Sequence, residues 1–496
     1  MKTWRSKTPS FHNQVMMALI FLLICRLIAM YFIPLNDTTE ARYAEIARKM
    51  LETGNWVTPL HDYMTPFWAK PPLSFWLSAL SMKLLGVNEF AARLPSFILS
   101  LGIIGLLWNV TKKQSGPLVA ATTLLVLTSS LAFLLNMGAV MTDPSLLFCT
   151  TLTLVSFWKT VVEKASMWRY VFFIGLGLGL LAKGPLVLIL TGMPIFLWVL
   201  LHQQWRALWT QLPWISGSLL LLLIALPWYL LAESRTPGFL NYFIMGEHFG
   251  RFLQGGWQGD KYGGAHIAPL GMIWVYTVIG VIPWTLGVFI WLGYHGKKIP
   301  TFLKQDKNGW LSYWFLCFLM PLLFFTVAKN IIWPYVLPSL PAFSVLFAAL
   351  YHRTAVSSLF KKTYVFAAAS SGIILLITTA LFVFEPQLLS KSQKEVITVW
   401  KNQHPPKDSP LIYWTSNLKA KFSAQFYSAG KLQTTVDPLV LDALLSHEDE
   451  HYLVIDANEP ALIPENILLN LTEIKTCHFQ GSTYTLYRFK KNISGV

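Results

Sequence analysis

Charge is scarce in this chain. Asp, Glu, Lys and Arg make up 13% of 496 residues, against ~25% in soluble proteins. Cysteine is nearly absent as well, with four residues in all. Cys25, Cys149 and Cys317 sit in apolar runs, where a thiol behaves as a small hydrophobe, and Cys477 has no partner outside them. No CxxC or Cys/His ligand spacing occurs, so neither a disulfide scaffold nor a zinc motif is indicated. Acidic residues are the rarest charges, 24 against 39 basic ones, for a net charge of +15. There is no repeat of fixed period and no low-complexity tract. What abounds is apolar: 54% of residues, with 21 Trp and 33 Phe, and a mean hydropathy of +0.49. A soluble globule and a disordered chain are excluded.

A membrane-spanning helix needs about 20 apolar residues, fewer inside a bundle. Eleven stretches qualify: 14–33, 92–110, 117–135, 145–162, 170–182, 185–201, 212–232, 267–294, 309–327, 332–350 and 363–384. The first has a basic leader but no small-residue cleavage site, so it reads as an uncleaved span. If residues 1–13 are cytoplasmic, the other segments on that side are 111–116, 159–169, 202–211, 295–308 and 351–362. With residues 1–13 they carry sixteen Lys and Arg against Glu163 and Asp306, the asymmetry of the positive-inside rule. The net charge thus reports topology, and nucleic acid is not a partner.

The opposite side is more than a set of connectors. Segment 34–91 contains an Ala-, Glu- and Arg-rich run over 40–52, preceded by Thr38 and Thr39 as caps and stopped at Gly54. Pro71-Pro72 then opens Leu73–Leu85, a helix for the membrane interface. A second loop, 233–266, holds Glu233, Arg235, Glu247, His248 and Arg251. Beyond 385 apolar density falls, and Leu411–Trp414, Tyr452–Ile455 and Thr483–Phe489 read as strands. The fold class is therefore an all-α polytopic membrane protein, with about 11–13 transmembrane helices and interfacial external helices. A small C-terminal α/β external domain, 385–496, follows the transmembrane domain, 1–384.

Charged groups gather at one depth, the outer interface: Asp37, Glu40, Arg42 and Lys70 from the first loop, Asp143 from 136–144, and Lys183 and Lys329 from helix ends. Carboxylates offer a base or a metal ligand, while Arg and Lys offer phosphate clamps. Such residues at membrane depth are functional candidates, and the combination suits transfer of a group from a phosphate-bearing lipid. Each also has a plainer reading. Glu45 and Arg48 make a solvated i,i+3 pair, Lys183 and Lys329 snorkel to headgroups, Asp143 caps the fourth helix, and His248 is a hydrogen-bonded loop histidine.

The run from Asp37 through Glu40-Ala-Arg-Tyr-Ala-Glu-Ile-Ala-Arg-Lys-Met-Leu to Pro59 resembles the bacterial lipid A aminoarabinose transferases. Lys70-Pro-Pro-Leu, Gly86–Pro95, Leu181-Ala-Lys-Gly-Pro-Leu and Glu247-His-Phe-Gly-Arg continue the likeness, which covers most of 14–350. That family stands with the protein O-mannosyltransferases among C-type membrane glycosyltransferases. The resemblance implies a polyprenyl-phosphate sugar donor, an envelope acceptor such as lipid A, and inversion at the anomeric carbon. It places the site on the periplasmic face of a bacterial inner membrane. Arg42, Lys70, Lys183 and Arg251 match donor-phosphate positions, and Lys329 joins them by depth. Thr39 occupies the family's Asp position, so the key carboxylate is Asp37 in a shifted turn or Glu40, with Asp37 preferred and Asp143 as a further catalytic candidate. His248 matches a metal-contacting position, whereas Ala69 replaces the family's metal-contacting Glu; a divalent ion would lack one ligand. A lipid transporter or flippase, a protein O-glycosyltransferase and a non-catalytic envelope assembly protein remain as alternatives.

Overall fold

The computed structural model describes residues 11–263, 266–304, 306, 308–354, 358–406, 409–415, 421–445, 450–457 and 463–490. Helix α1 (Phe11–Phe32) leads into α2 (Thr39–Thr53), a short hairpin of β1 (Leu60–Asp62) and β2 (Thr65–Pro66), and α3 (Leu73–Leu85). Then come α4 (Glu89–Ser115), α5 (Pro117–Ser129), α6 (Leu131–Asn136), α7 (Asp143–Val161), α8 (Trp168–Lys183), α9 (Leu186–Leu201), α10 (Trp205–Gln211) and α11 (Trp214–Arg235). Every predicted span falls on helix. Among the described residues, α1, α4, α11, Trp333–Arg353 and Val365–Phe384 are long and apolar enough to cross a bilayer. Met272–Gly280 and Trp284–Phe302 form a broken sixth, bent by 103°. The chain is a multi-pass membrane protein, and Ile215, Leu219, Leu223 and Leu230 of α11 stay exposed because lipid is their solvent.

Two predicted spans are interrupted. In 117–135 the hydroxyls of Ser129 and Ser130 bond back to the carbonyls of Leu125 and Val126, and the Leu131 amide turns to the Ile282 carbonyl. Side-chain competition of this kind loosens a helix. In 267–294, Pro283 supplies no amide and the helix breaks there.

Glycines of α8 let its neighbours close in. A Cβ at Gly175 would lie 2.5 Å from Thr153 Oγ1 of α7, and one at Gly179 would lie 2.5 Å from Val187 Cγ2 of α9. This approach runs α7 and α8 side by side and antiparallel, so the first residue of α7 meets the last of α8. Those residues are Asp143 and Lys183.

The elements outside the membrane-spanning helices match the sequence pattern closely. Helix α2 ends at Gly54, whose φ of +67° suits glycine, although Thr38 makes no side-chain cap bond. After residue 385 a five-stranded sheet runs β4 (Leu432–Thr435), β3 (Leu411–Trp414), β5 (Glu450–Asp456), β7 (Ser482–Lys490) and β6 (Leu471–Phe479). β3 pairs parallel to both β4 and β5, while β7 pairs antiparallel to β5 and β6. All four β3 residues are buried rather than alternating, because the strand is covered on both faces.

Helix Phe422–Ser428 of this unit lies on α2, and Gly430 comes so close that a Cβ there would be 2.8 Å from Arg48 Nη2. The Arg48–Glu45 pair, predicted to be solvated, is therefore buried, with 2.6 and 2.8 Å bonds. The topology is checked at Met64, which is 92% exposed at the β1–β2 turn. A Met64→Cys variant should react with a membrane-impermeant thiol reagent in intact spheroplasts. The four native cysteines are buried and give little background. Labelling only after lysis would invert the threading.

Candidate functional site

Ionic contacts near helix ends organise the site. Lys183 donates to Asp143 Oδ1 at 2.6 Å, with both side chains under a tenth exposed. The ring of Tyr335 lies 4.6 Å from the same ammonium. Across the cavity, Glu247 receives Lys70 at 2.9 Å and Arg251 at 3.1 Å, and Arg251 reaches Asp260 at 3.3 Å. Burial alone would raise the Glu247 carboxyl, but Lys70 and Arg251 hold it below the usual range. Asn330 holds the Arg251 and Gln254 carbonyls, which fixes the chain that carries this guanidinium.

Between these groups lies a cavity of about 360 Å³. Lys70, Lys183 and Arg251 contribute to its polar lining, whereas Leu186, Ile189, Phe249 and Phe324 line it with hydrocarbon. A cavity of this composition accepts an anionic head and an apolar tail together. The structure thus brings together Lys70, Lys183, Arg251 and Asp143.

His248 lines the same cavity, whereas Glu40, Arg42, Lys329 and Asp37 are not among its lining residues. Glu40 is held by Arg93 through two bonds of 2.8 and 2.7 Å and accepts the Val140 amide at 3.3 Å. Burial opposes its charge, yet Arg93 outweighs it and keeps the carboxyl ionised. Arg93 also caps the Met30 and Pro34 carbonyls, so this pair ties the end of α1 to α2 and to the loop before α7. Arg42 donates to the Tyr262 carbonyl at 2.6 Å and lies over the rings of Tyr43 and Phe67. Lys329 is exposed and outside the cavity lining, its backbone bonded to Phe252 and Ala268.

Asp37 faces the C-terminal sheet unit instead of the cavity. It accepts the Ser423 amide at 3.0 Å and the Ser423 hydroxyl. Burial pushes its carboxyl up to about 6, an effect that the Ser423 bonds and nearby Lys421 only partly offset.

His248 does not fit a metal. Its Nδ1 is 2.8 Å from the Phe243 carbonyl and its Nε2 is 3.2 Å from the Lys183 carbonyl, and the single N–H of the neutral ring donates to one of the two. Among the described residues no three His, Cys, Asp or Glu side chains gather as a ligand set. The plainer reading, a hydrogen-bonded loop histidine, describes this geometry.

Sequence reasoning missed the roles of Arg93, Asp260, Asn330 and Tyr335. Arg93 was visible inside the Gly86–Pro95 motif. Asp260 and Tyr335 carried no spacing signal, since their partners lie 9 and 152 residues away in the chain.

Comparison with known proteins follows the same line. Residues 16–243 match the family described as dolichyl-phosphate-mannose-protein mannosyltransferase. The chain is 30% identical over 349 residues to the undecaprenyl phosphate-alpha-4-amino-4-deoxy-L-arabinose arabinosyl transferase of Edwardsiella ictaluri, covering 67% of this chain and 59% of that protein. With the same-named protein of Serratia proteamaculans the identity is 28% over 398 residues, 76% of this chain and 66% of the relative. The matched region thus spans less than two thirds of these relatives' length. The crystal structure of ArnT from Cupriavidus metallidurans bound to undecaprenyl phosphate superposes with a TM-score of 0.74 at 18% identity, covering 98% of this chain and 99% of that one. At that identity the likeness is one of fold. Residues 16–243 of this multi-pass membrane protein are thus similar to a mannosyltransferase-family domain. Its particular likeness, as the first-loop motif indicated, is to the aminoarabinose transferases.

The burial of Asp37 against the sheet unit, rather than its bonds to Ser423, has a predictable pH dependence. A carboxyl raised from 3.8 to about 6 stabilises docking most below pH 4 and loses that contribution as pH rises through 6. With its residual exposure discounted, the effect is about 1–2 kcal/mol. Hydrogen exchange over Phe422–Ser428 should be slower at pH 5 than at pH 7.5, beyond the intrinsic rate change. Asp37→Asn should remove the difference; an unchanged difference would refute the linkage.

Proposed function

We propose that this chain is an integral-membrane glycosyltransferase. It moves a sugar from a polyprenyl-phosphate donor to lipid A or a related envelope acceptor, on the periplasmic face of a bacterial inner membrane. The observation that carries this reading is the cavity with Lys70, Lys183 and Arg251 among hydrocarbon walls. The donor's phosphate would sit at the cations and its isoprenoid tail against Leu186, Ile189 and Phe324. The relatives' printed name, an undecaprenyl phosphate-linked arabinosyl transferase, supports the same donor class.

In the transfer, the bond between the anomeric carbon and the phosphate oxygen breaks, and the electron pair leaves with the phosphate. An acceptor oxygen forms the new bond from the opposite side. The growing negative charge on the leaving phosphate is what preorganised cations stabilise. An acceptor hydroxyl would also need a base for its proton. All three candidate carboxylates are already engaged: Asp37 by Ser423, Glu40 by Arg93 and Asp143 by Lys183. This favours an acceptor that is anionic beforehand, such as a lipid A phosphate, with Asp143 holding Lys183 in place.

The test is sugar transfer from a radiolabelled polyprenyl-phosphate donor in membranes. Lys70→Ala removes a charge-assisted contact worth about 1.5–3 kcal/mol, a loss of roughly 10- to 150-fold in kcat/KM. Lys183→Ala should cost at least as much, because it also strands Asp143. Full activity in Lys70→Ala, or no transfer by the unsubstituted protein to any envelope acceptor, would overturn the reading.

A further inference from the structure

We propose that Glu247 is a built-in competitor of the donor phosphate: it occupies Lys70 and Arg251 while the site is empty and takes them back when the polyprenyl-phosphate product leaves. The proposal rests on the donor reading above and assigns to Glu247 a positioning role within it.

The argument begins with a charge count. Three cations serve the cavity, Lys70, Lys183 and Arg251, and three carboxylates contact them, Glu247, Asp143 and Asp260. The site is therefore neutral before any ligand arrives. A phosphate cannot gain the full attraction of these cations unless a carboxylate gives up its share.

The three carboxylates are not equivalent. Asp143 holds one cation by a short contact in which both partners are nearly buried. Asp260 touches only the far nitrogen of Arg251, at 3.3 Å. Glu247 alone joins two cations, and those two are the more accessible ones, with side chains 16% and 20% exposed against 8% for Lys183. A phosphate reaching Lys70 and Arg251 meets the Glu247 carboxylate between them, and like charges at that distance repel.

The local backbone suits such an exchange. Glu247 lies in Tyr242–Gly250, which is wound as a π-helix rather than an α-helix, an arrangement frequent at functional sites. The Tyr242 hydroxyl is 3.3 Å from Glu247 and offers the carboxylate a partner that remains when the cations turn to phosphate. The reason for keeping a competitor is the empty state. Two partly buried cations left to share Asp260 alone would be under-compensated, and a competing carboxylate loosens the hold on the phosphate product.

Glu247→Gln distinguishes this role from simple support. If Glu247 only props up the cations, the substitution weakens phosphate binding. If it competes, binding tightens while the empty protein becomes less stable. The probe is undecaprenyl monophosphate titrated into the full chain in nanodiscs, with thermal unfolding recorded in parallel. The expected result is affinity increased roughly tenfold, the scale of one charge-assisted contact, a lower melting temperature without ligand, and a larger rise on adding it. Added undecaprenyl monophosphate should also inhibit transfer more strongly than in the unsubstituted protein. Glu247→Asp, which keeps the charge but withdraws it by one methylene, should tighten binding less. It serves as the second variant if the first fails to fold. Equal or weaker binding by the variant that folds overturns the proposal. If the unsubstituted protein binds undecaprenyl monophosphate no better than uncharged undecaprenol, the donor reading itself fails, and this inference with it.

Discussion

A charge at the boundary of a bilayer is tolerated when an opposite charge is close, and that constraint shapes the structure from α1 to the sheet. Burying either partner alone would cost several kcal/mol; together they can sit under the helices. Arg93 with Glu40, Lys183 with Asp143, and Lys70 and Arg251 with Glu247 are all such arrangements. Each joins segments distant in the chain. Glu40 and Arg93 connect α2 to the start of α4, and Lys70 and Glu247 connect the segment before α3 to the Tyr242–Gly250 helix.

This pairing also separates structural charges from those available for chemistry. Glu40 lies in the most specific motif of the chain, yet its two bonds to Arg93 make it a fastener. Arg42 gives one N–H to a carbonyl and lies over two aromatic rings. The charged groups that line the cavity come from three places: the segment before α3, the end of α8 and the Tyr242–Leu253 helical stretch. Their convergence depends on helix packing, with the α8 glycines setting how closely α7 approaches.

The sheet unit is joined to this layer by polar contacts. Tyr427 donates to Glu89 at 2.9 Å and accepts the Leu35 amide at 2.8 Å, Lys394 also meets Glu89, and the Lys391 amide reaches Asn36 at 2.9 Å. With Asp37 on Ser423, these contacts close over the first loop. A cluster that includes Phe422, Phe426, Ile46 and Met50 supplies the apolar part of the same interface.

Helix positions, among them Leu73–Leu85, the stop at Gly54 and three of the five C-terminal strands were legible in the sequence. They depend on local rules: apolar run length, proline and glycine punctuation, and β-rich runs. The first-loop motif likewise carried the family likeness, because it is a contiguous string. Tertiary structure decided which charges meet. Asp37 and Glu40 are three residues apart, yet one faces Ser423 and the other Arg93. Lys70 and Glu247 are 177 residues apart and share a hydrogen bond. An ion pair depends on distance through space, and the chain order of a polytopic protein does not encode which helix ends arrive side by side.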